Sequence, residues 1–284
     1  MKSKILIVGG SGYLGQKLTH FLDAQHYEVC WLTRQLNPQF PTTQFLWNYH
    51  NKTCDLNAFN NVSVVINLGG ASINKKWTKK YKAIMYESRV LATNYLCTLL
   101  NDSIKNQVRF IHISGTGFYG TSIRYDFQNE TQSAGNDWLA QLCYDWEQAT
   151  HILNNNFSTI ILRIPPIVAE DSMLFLTLKK SYFNHLYFCT GNGFQPFPTL
   201  HLTNFLNGIE TCLKVATMSG IFNMVDSEQL ILKEFIKKYV LKSKYAIFIP
   251  IPKFILQIIL LDLAAVICSG NYIDGAKFKD LTIC

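Results

Sequence analysis

The glycines near the start of the chain are the residues whose spacing speaks most directly of chemistry. Gly9, Gly12 and Gly15 fit GxxGxxG, while Gly10, Gly12 and Gly15 fit GxGxxG. In either frame the missing Cβ atoms permit a tight turn, let a pyrophosphate reach the backbone and let a helix pack closely on the preceding strand. A helix beginning there offers an anion unpaired N–H groups and the positive end of a dipole. About 20 residues further on, where such folds place their ribose reader, the run HYEVCWLTR ends in Thr33 and Arg34. A carboxylate at that point reads the ribose hydroxyls of NAD. An arginine leaves room for a 2′-phosphate and offers it a cationic fork, so NADP(H) is expected in preference to NAD(H).

These residues need elements to hold them. The β-branched run from Ile5 to Val8 predicts a buried parallel strand that passes straight into the glycine turn and a helix. A second strand ends at Arg34, and a third covers 43–48. Asp55 is expected to cap a short turn, and a fourth strand, VSVVINLGG, covers 62–70. The carboxyl ends of such strands line the ligand crevice of a doubly wound sheet. Asn67, Gly69 and Gly70 therefore belong beside the dinucleotide, although Asn67 can equally tie its strand to a neighbour. Residues 75–100 predict one long helix, whose five early lysines make a solvated face. Trp77 and Arg89 break its pattern, either as the border of a substrate pocket or by ordinary packing. A fifth strand and turn (108–120), a helix (137–153) and a sixth strand (157–166) follow. Alternating strands and helices predict right-handed crossovers and an α/β fold, a Rossmann-type doubly wound parallel sheet.

Beyond residue 166 the alternation fails. Helices are expected at 173–183, 203–215 and 228–241, with a Gly/Pro-rich stretch at 191–198 and a strand at 220–225. The division is thus a dinucleotide-binding domain, 1–165, interleaved in one compact unit with a small C-terminal α/β substrate lobe and an apolar helix, 166–284.

The composition narrows the partners. The chain has 284 residues and a net charge of +7, but its lysines are scattered and no nucleic-acid motif accompanies them, so no nucleic-acid partner is expected. The eight cysteines form no CxxC pair and several sit in apolar runs, which reads as buried thiols in a reducing compartment, without a metal site. The apolar run after the first lysines is too short for a secretory h-region, so a cytoplasmic protein is expected. Residues 246–268 are the most hydrophobic. Pro250, Pro252, Lys253, Gln257 and Asp262 interrupt them. Instead of a membrane span, this predicts a helix from near Pro252, buried against the protein or in a homodimer contact.

Together GGSGYLG, INLGG and HISGTGFYG resemble the extended and atypical short-chain dehydrogenase/reductase superfamily. INLGGASINKKWT, YESR and SGTGFYG with LCYDWE look like its epimerase family, which includes the bacterial YfcH proteins and their eukaryotic relatives. The resemblance spans nearly the whole chain and is strongest over the first 165 residues. Leu200 and His201 resemble the family's Ile-His element, although Asn204 stands where an acid is usual. The run GNYIDGAKFKDLTIC stands where the family continues into a further terminal segment. The resemblance implies NADP(H), with Gly9, Gly12 and Gly15 as the phosphate loop and Ser11, Tyr13 and Leu14 as its backbone donors. It puts Arg34 at the 2′-phosphate, Leu68 and Gly69 on the adenosine side, and Ser114 at a substrate carbonyl or hydroxyl.

Hydride transfer also needs a group that moves the hydroxyl proton. Superfamily reductases use a tyrosine with a lysine one helical turn on. Here Tyr144 is followed four residues later by Gln148, and the one tyrosine so spaced from a lysine, Tyr13 with Lys17, lies in the phosphate loop. Tyr119, Glu147 and His201 are the candidate replacements. Each has a plain alternative: Tyr119 as a turn packer, Glu147 as a partner for a lysine or arginine, His201 as a satisfied lobe residue. With Ser114 and Tyr119 as catalytic candidates, the expectation is an NADP(H)-dependent oxidoreductase or epimerase acting on a small molecule. The alternative is an NADP(H)-binding protein without turnover, with a regulatory role such as in cell division.

Overall fold

The computed structural model describes residues 3–242 and 245–282. Eight strands make one sheet: β1 (Lys4–Val8), β2 (Glu28–Thr33), β3 (Thr43–Asn48), β4 (Thr53–Cys54), β5 (Val62–Asn67), β6 (Val108–Gly115), β7 (Phe157–Ile164) and β8 (Gly220–Asn223). Their order is β8-β7-β6-β5-β1-β2-β3-β4, and every neighbouring pair is parallel except β3 with β4. From β1 the chain builds outward to β4. It then returns to the other side of β1 and builds outward again to β8. The reversal lies between β1 and β5, where Val8 pairs with Asn67, and a doubly wound sheet opens its crevice at such a point.

Because strand side chains alternate, the apolar runs feed two cores. Ile5, Ile7 and Ile66 pack with Leu18 and Leu22 of α1 (Tyr13–Ala24). Leu6, Val8 and Val65 face the other way, onto Leu96 and Leu100 of α3 (Ala92–Ser103). The helix predicted for 75–100 starts later and changes pitch: α2 (Lys79–Tyr86) begins after Thr78, whose side chain accepts from Tyr81 N–H, and a π-type turn, Glu87–Leu91, joins it to α3. Asp55 does cap a single turn, Leu56–Phe59. The next helix, α4 (Trp138–Gln148), is capped by Asp137 and ends five residues before the expected 153.

The distal half is built from shorter pieces than its apolar periodicity suggests. α5 (Met173–Lys180) and α6 (Leu202–Lys214) are present, but the helix expected at 228–241 is one α turn, Leu232–Phe235, followed by a π-type stretch, Ile236–Leu241. Strand β8 sends this half back into the main sheet beside β7. Two pairings escape sequence reasoning: Ile123–Gln128 runs parallel to Gly270–Ile273, and Tyr182–Phe183, Leu186–Thr190 and Ile247–Ile251 form a separate three-stranded sheet.

The apolar helix, α7 (Lys253–Leu260), starts after Pro252 as expected. Leu261, at φ +56, ends it before a second short helix, Leu263–Ile267. Burial against the protein is corrected by the structure, since only Leu256 of α7 is buried and Phe254, Ile255, Ile258 and Ile259 are exposed. Hydrophobicity alone does not specify a contact: the helix is short, and only the side bearing Leu256 meets the protein. No helix among the described residues is long and apolar enough to cross a membrane.

Candidate functional site

The reversal between β1 and β5 opens a cleft of about 200 Å³. Gly9 is there at φ +82, which an L side chain rarely adopts, and a Cβ on it would lie 3.1 Å from the Gly69 nitrogen. Both glycine frames have physical content. A Cβ on Gly10 would stand 2.3 Å from the indole of Trp31, and one on Gly15 would stand 2.5 Å from Gly10 Cα. Gly12 differs, because its Cβ would meet only the Gly9 carbonyl at 3.3 Å and otherwise face open space. Gly12 also caps α1, which has no side-chain cap and no acid in its first turn. The helix therefore keeps a cradle of bare main chain for an anion.

Gly9, Ser11 and Gly12 line this cleft with Thr33, Arg34, Asn67, Leu68 and Gly69, and no carboxylate joins them. Gly15 lies beneath the turn, and Tyr13 and Leu14 open the helix. Leu14 packs on the core. The Tyr13 hydroxyl donates to Asp171 at 2.6 Å, and Lys17 pairs with the same carboxylate at 2.7 Å. Sequence reasoning missed Trp47, Tyr49, Ser88 and Thr93 in the wall. The first two end and follow β3, the next strand out from Arg34, which is the signal that could have found them.

Asn67 lines the cleft and also ties its strand to its neighbours. Its amide donates to Thr93 Oγ1 at 3.1 Å and meets His112 Nδ1 of β6 at 3.2 Å, while its carbonyl accepts from Gly69 N–H at 3.1 Å. Trp146 Nε1 donates to the same Thr93 hydroxyl. With Asn67 donating, His112 is the neutral tautomer carrying its proton on Nε2, an atom without a partner among the described residues. Burial drives the His112 pKa down from 6.5 to about 3. Trp77 and Arg89 pack: the Trp77 indole donates to the Ile73 carbonyl and Arg89 stacks over Trp146.

Ser114, near the carboxyl end of β6, and Tyr119, in the turn that follows it, are outside the lining of this cleft and belong to a buried polar chain. Ser114, 2% exposed, donates to Glu147 Oε1 at 2.7 Å. Arg163 of β7 grips Glu147 through Nε and Nη2, at 2.9 and 2.8 Å. Its remaining nitrogen donates to the Tyr119 hydroxyl, which donates in turn to Asn223 Oδ1 of β8. Phe118 covers the guanidinium at 3.3 Å. Burial raises the Tyr119 pKa, against the lowering effect of Arg163 and Asn223. Burial acts to lower that of Arg163, but the Glu147 carboxylate outweighs it and the net shift is upward. The chemistry open to these groups is narrow. With its one proton held by Glu147, Ser114 can only accept a hydrogen bond from a ligand, and the Tyr119 proton is engaged by Asn223.

His201 stands at the head of α6, beside a second cleft of about 270 Å³ that also contains Asn204, Asp226, Glu228 and Tyr239. Its Nδ1 lies 2.6 Å from Asp226 Oδ2, and Asn204 donates to Asp226 Oδ1 at 2.7 Å. Where the resemblance leads one to expect an acid at 204, the carboxylate arrives from Asp226, 22 residues further along. Nothing local in the sequence signals it.

The comparisons with known proteins bear on family and fold. The family model described as the NAD dependent epimerase/dehydratase family matches residues 5–172. The epimerase family protein YfhF of Bacillus subtilis is 27% identical over 271 residues, covering 94% of this chain and 88% of its own. The chloroplastic SDR39U1 homolog of Arabidopsis thaliana, also named an epimerase family protein, is 24% identical over 283 residues, covering 98% and 81%. Among solved structures, human epimerase family protein SDR39U1 (isoform2) with NADPH superposes with a TM-score of 0.84 at 19% identity, over 98% of this chain and 93% of that one.

Proposed function

The chain belongs to the NAD dependent epimerase/dehydratase family, and from that premise we propose that it binds NADP(H) and serves as an oxidoreductase or epimerase for a small molecule. The observation that carries the cofactor is the meeting of Arg34 with the glycine turn in one cleft free of carboxylates. The uncapped start of α1 suits a diphosphate, and Thr33 with Arg34 suits a phosphorylated ribose. Trp47 and Tyr49 offer flat apolar surface on the adenine side. That the human relative was crystallised with NADPH supports the same choice. When bound, the dinucleotide supplies the hydride. The chain's own part is to hold and orient it. In this reading residues 1–165 carry the dinucleotide, and the substrate sits between the sheet's carboxyl edge and the distal lobe. The regulatory alternative draws no support from the relatives.

Calorimetric titration with NADPH and NADH tests the assignment. NADPH should bind at least about tenfold more tightly, and Arg34→Ala should erase most of that margin, since each charge-assisted hydrogen bond is worth about 1.5–3 kcal/mol. Equal weakening of both nucleotides by Arg34→Ala would show that the ribose is read elsewhere. Following NADPH oxidation across a panel of carbonyl compounds then tests turnover separately from binding.

A further inference from the structure

Among the described residues Arg89 is a cation without an anion. No carboxylate lies within ion-pair distance of it, and its one hydrogen bond is long, from Nη1 to the Met85 carbonyl of the preceding turn at 3.5 Å. The arginines of the sheet are engaged: Arg163 by Glu147 and Tyr119, and Arg109 by the carbonyls of Cys212, Leu213 and Ala216. Burial acts to lower the Arg89 pKa, and only Cys143 and Tyr81 act the other way. Neither is an anion, since burial pushes the Cys143 thiol up to about 12 and the Tyr81 hydroxyl donates its proton to the Ser72 carbonyl. A guanidinium does not shed its proton, so the uncompensated charge persists.

Its surroundings cover the face of the guanidinium and leave the edge. The Trp146 ring centre is 5.0 Å from Cζ, and a Cβ on Gly70 would lie 3.0 Å from Cζ, 3.1 Å from Nη2 and 3.3 Å from Nε, above the plane of the ion. Glycine at 70 makes room for it there. What stacking leaves free are the in-plane N–H groups of Nε and Nη2, the fork that fits a carboxylate or phosphate with two parallel bonds. Arg89 is carried on the π-type turn Glu87–Leu91, and such changes of pitch are frequent at functional sites. Ser88 pins the chain leaving β5 against this turn, its Oγ accepting from Ala71 N–H at 3.0 Å and donating to the Met85 carbonyl at 3.2 Å. Gly70 and Ser88 both line the cleft of the glycine turn, and Gly70 is exposed, so Arg89 stands directly behind that wall. Cys143, near enough to act on Arg89, has its Sγ 4.0 Å from where a Gly115 Cβ would stand, at the carboxyl end of β6.

Resting on the cofactor assignment above, we propose that Arg89 is the seat for a carboxylate or phosphate carried by the small-molecule substrate. The guanidinium borders both the dinucleotide cleft and the carboxyl end of β6, the edge at which that substrate is placed. The cofactor's own anions have other seats, at the head of α1 and at Arg34, and Arg89 is not in the lining of their cleft. An oxyanion held by the fork offsets the stranded charge and fixes the orientation of the molecule that bears it.

Calorimetric titration of the full chain loaded with NADP+ tests this without turnover, using ketones that differ in their anionic group: pyruvate against methyl pyruvate, and dihydroxyacetone phosphate against dihydroxyacetone. At least one charged member should bind about tenfold or more tightly than its neutral partner, and the pair that shows the margin identifies the anion as carboxylate or phosphate. Arg89→Met should erase that margin, while Arg89→Lys, which keeps the charge and loses the fork, should keep only part of it. Without ligand, Arg89→Met should melt no lower than the parent, because an unopposed charge gives way to an apolar chain. A lower melting point with the margin intact would make packing on Trp146 the role of Arg89 and overturn the proposal. No margin in either pair overturns it as well. NADP+ titration separates this outcome from the cofactor reading: Arg89→Met should bind NADP+ as the parent does, and a loss as large as that caused by Arg34→Ala would give the guanidinium to the dinucleotide and overturn the proposal. Should NADP+ itself not bind, the margin between parent and Arg89→Met for the ketones still reads Arg89 alone.

Discussion

The cleft at the head of α1 and the chain from Ser114 to Asn223 both sit on the central sheet, yet they treat polar groups in opposite ways. Around Gly12 the main chain is left bare, α1 has no cap, and Arg34 faces a wall without carboxylates. Around Arg163 the groups satisfy one another: two bonds to Glu147, one to Tyr119, and an aromatic cover. Desolvated polar groups are costly unless paired, so the second arrangement secures a fold. Open donors beside a helix start instead form a reception site for an anion. Residue types familiar from catalysis thus carry less weight than whether their hydrogen bonds are already taken.

Three experiments press on that contrast. The largest effect is expected from Glu147→Ala, which strands the Arg163 charge in the interior and should cost about 3–5 kcal/mol of stability in denaturant unfolding. NADPH affinity of the folded fraction should be retained. Next comes His112, between the two regions, with its pKa near 3. Below about pH 6.5 the unfolded chain takes up a proton that the folded chain refuses. Stability is then complete above that pH and falls by about 1.4 kcal/mol per unit as pH drops toward the folded value. His112→Phe should flatten this part of the pH–stability curve. Ser114→Ala should do least: Arg163 still satisfies Glu147, so about 1 kcal/mol at most is lost and NADPH binding is unchanged. Loss of turnover in Ser114→Ala, with stability and cofactor binding intact, would break the contrast by making the serine a substrate contact.

The parts of the molecule legible in the sequence are those determined locally. The glycine turn, the apolar runs of β1 and β5 and the position of Arg34 depend on neighbours in the chain, and their types announce them. Even the double fit of the glycine frames was informative, since Gly9, Gly10 and Gly15 each meet a separate close contact. The parts that stayed hidden depend on distant strands coming together. Glu147 finds Arg163 only when α4 lies over β7, and His201 finds Asp226 only across the lobe. The apolar composition of the helix at Pro252 calls for burial against the protein or in a homodimer contact, but composition cannot say which face meets a partner or whether that partner belongs to the same chain.

Trp31 lies against Gly10, with its indole nitrogen bonded to Thr19 of α1, and stands on β2 three positions before Arg34, the residue that follows the strand. One rigid ring therefore holds the glycine turn and the strand end that carries Arg34 in fixed relation. On the proposed assignment, the spacing between the two anions of the nucleotide is gauged before it arrives, so discrimination at this end requires no closing loop.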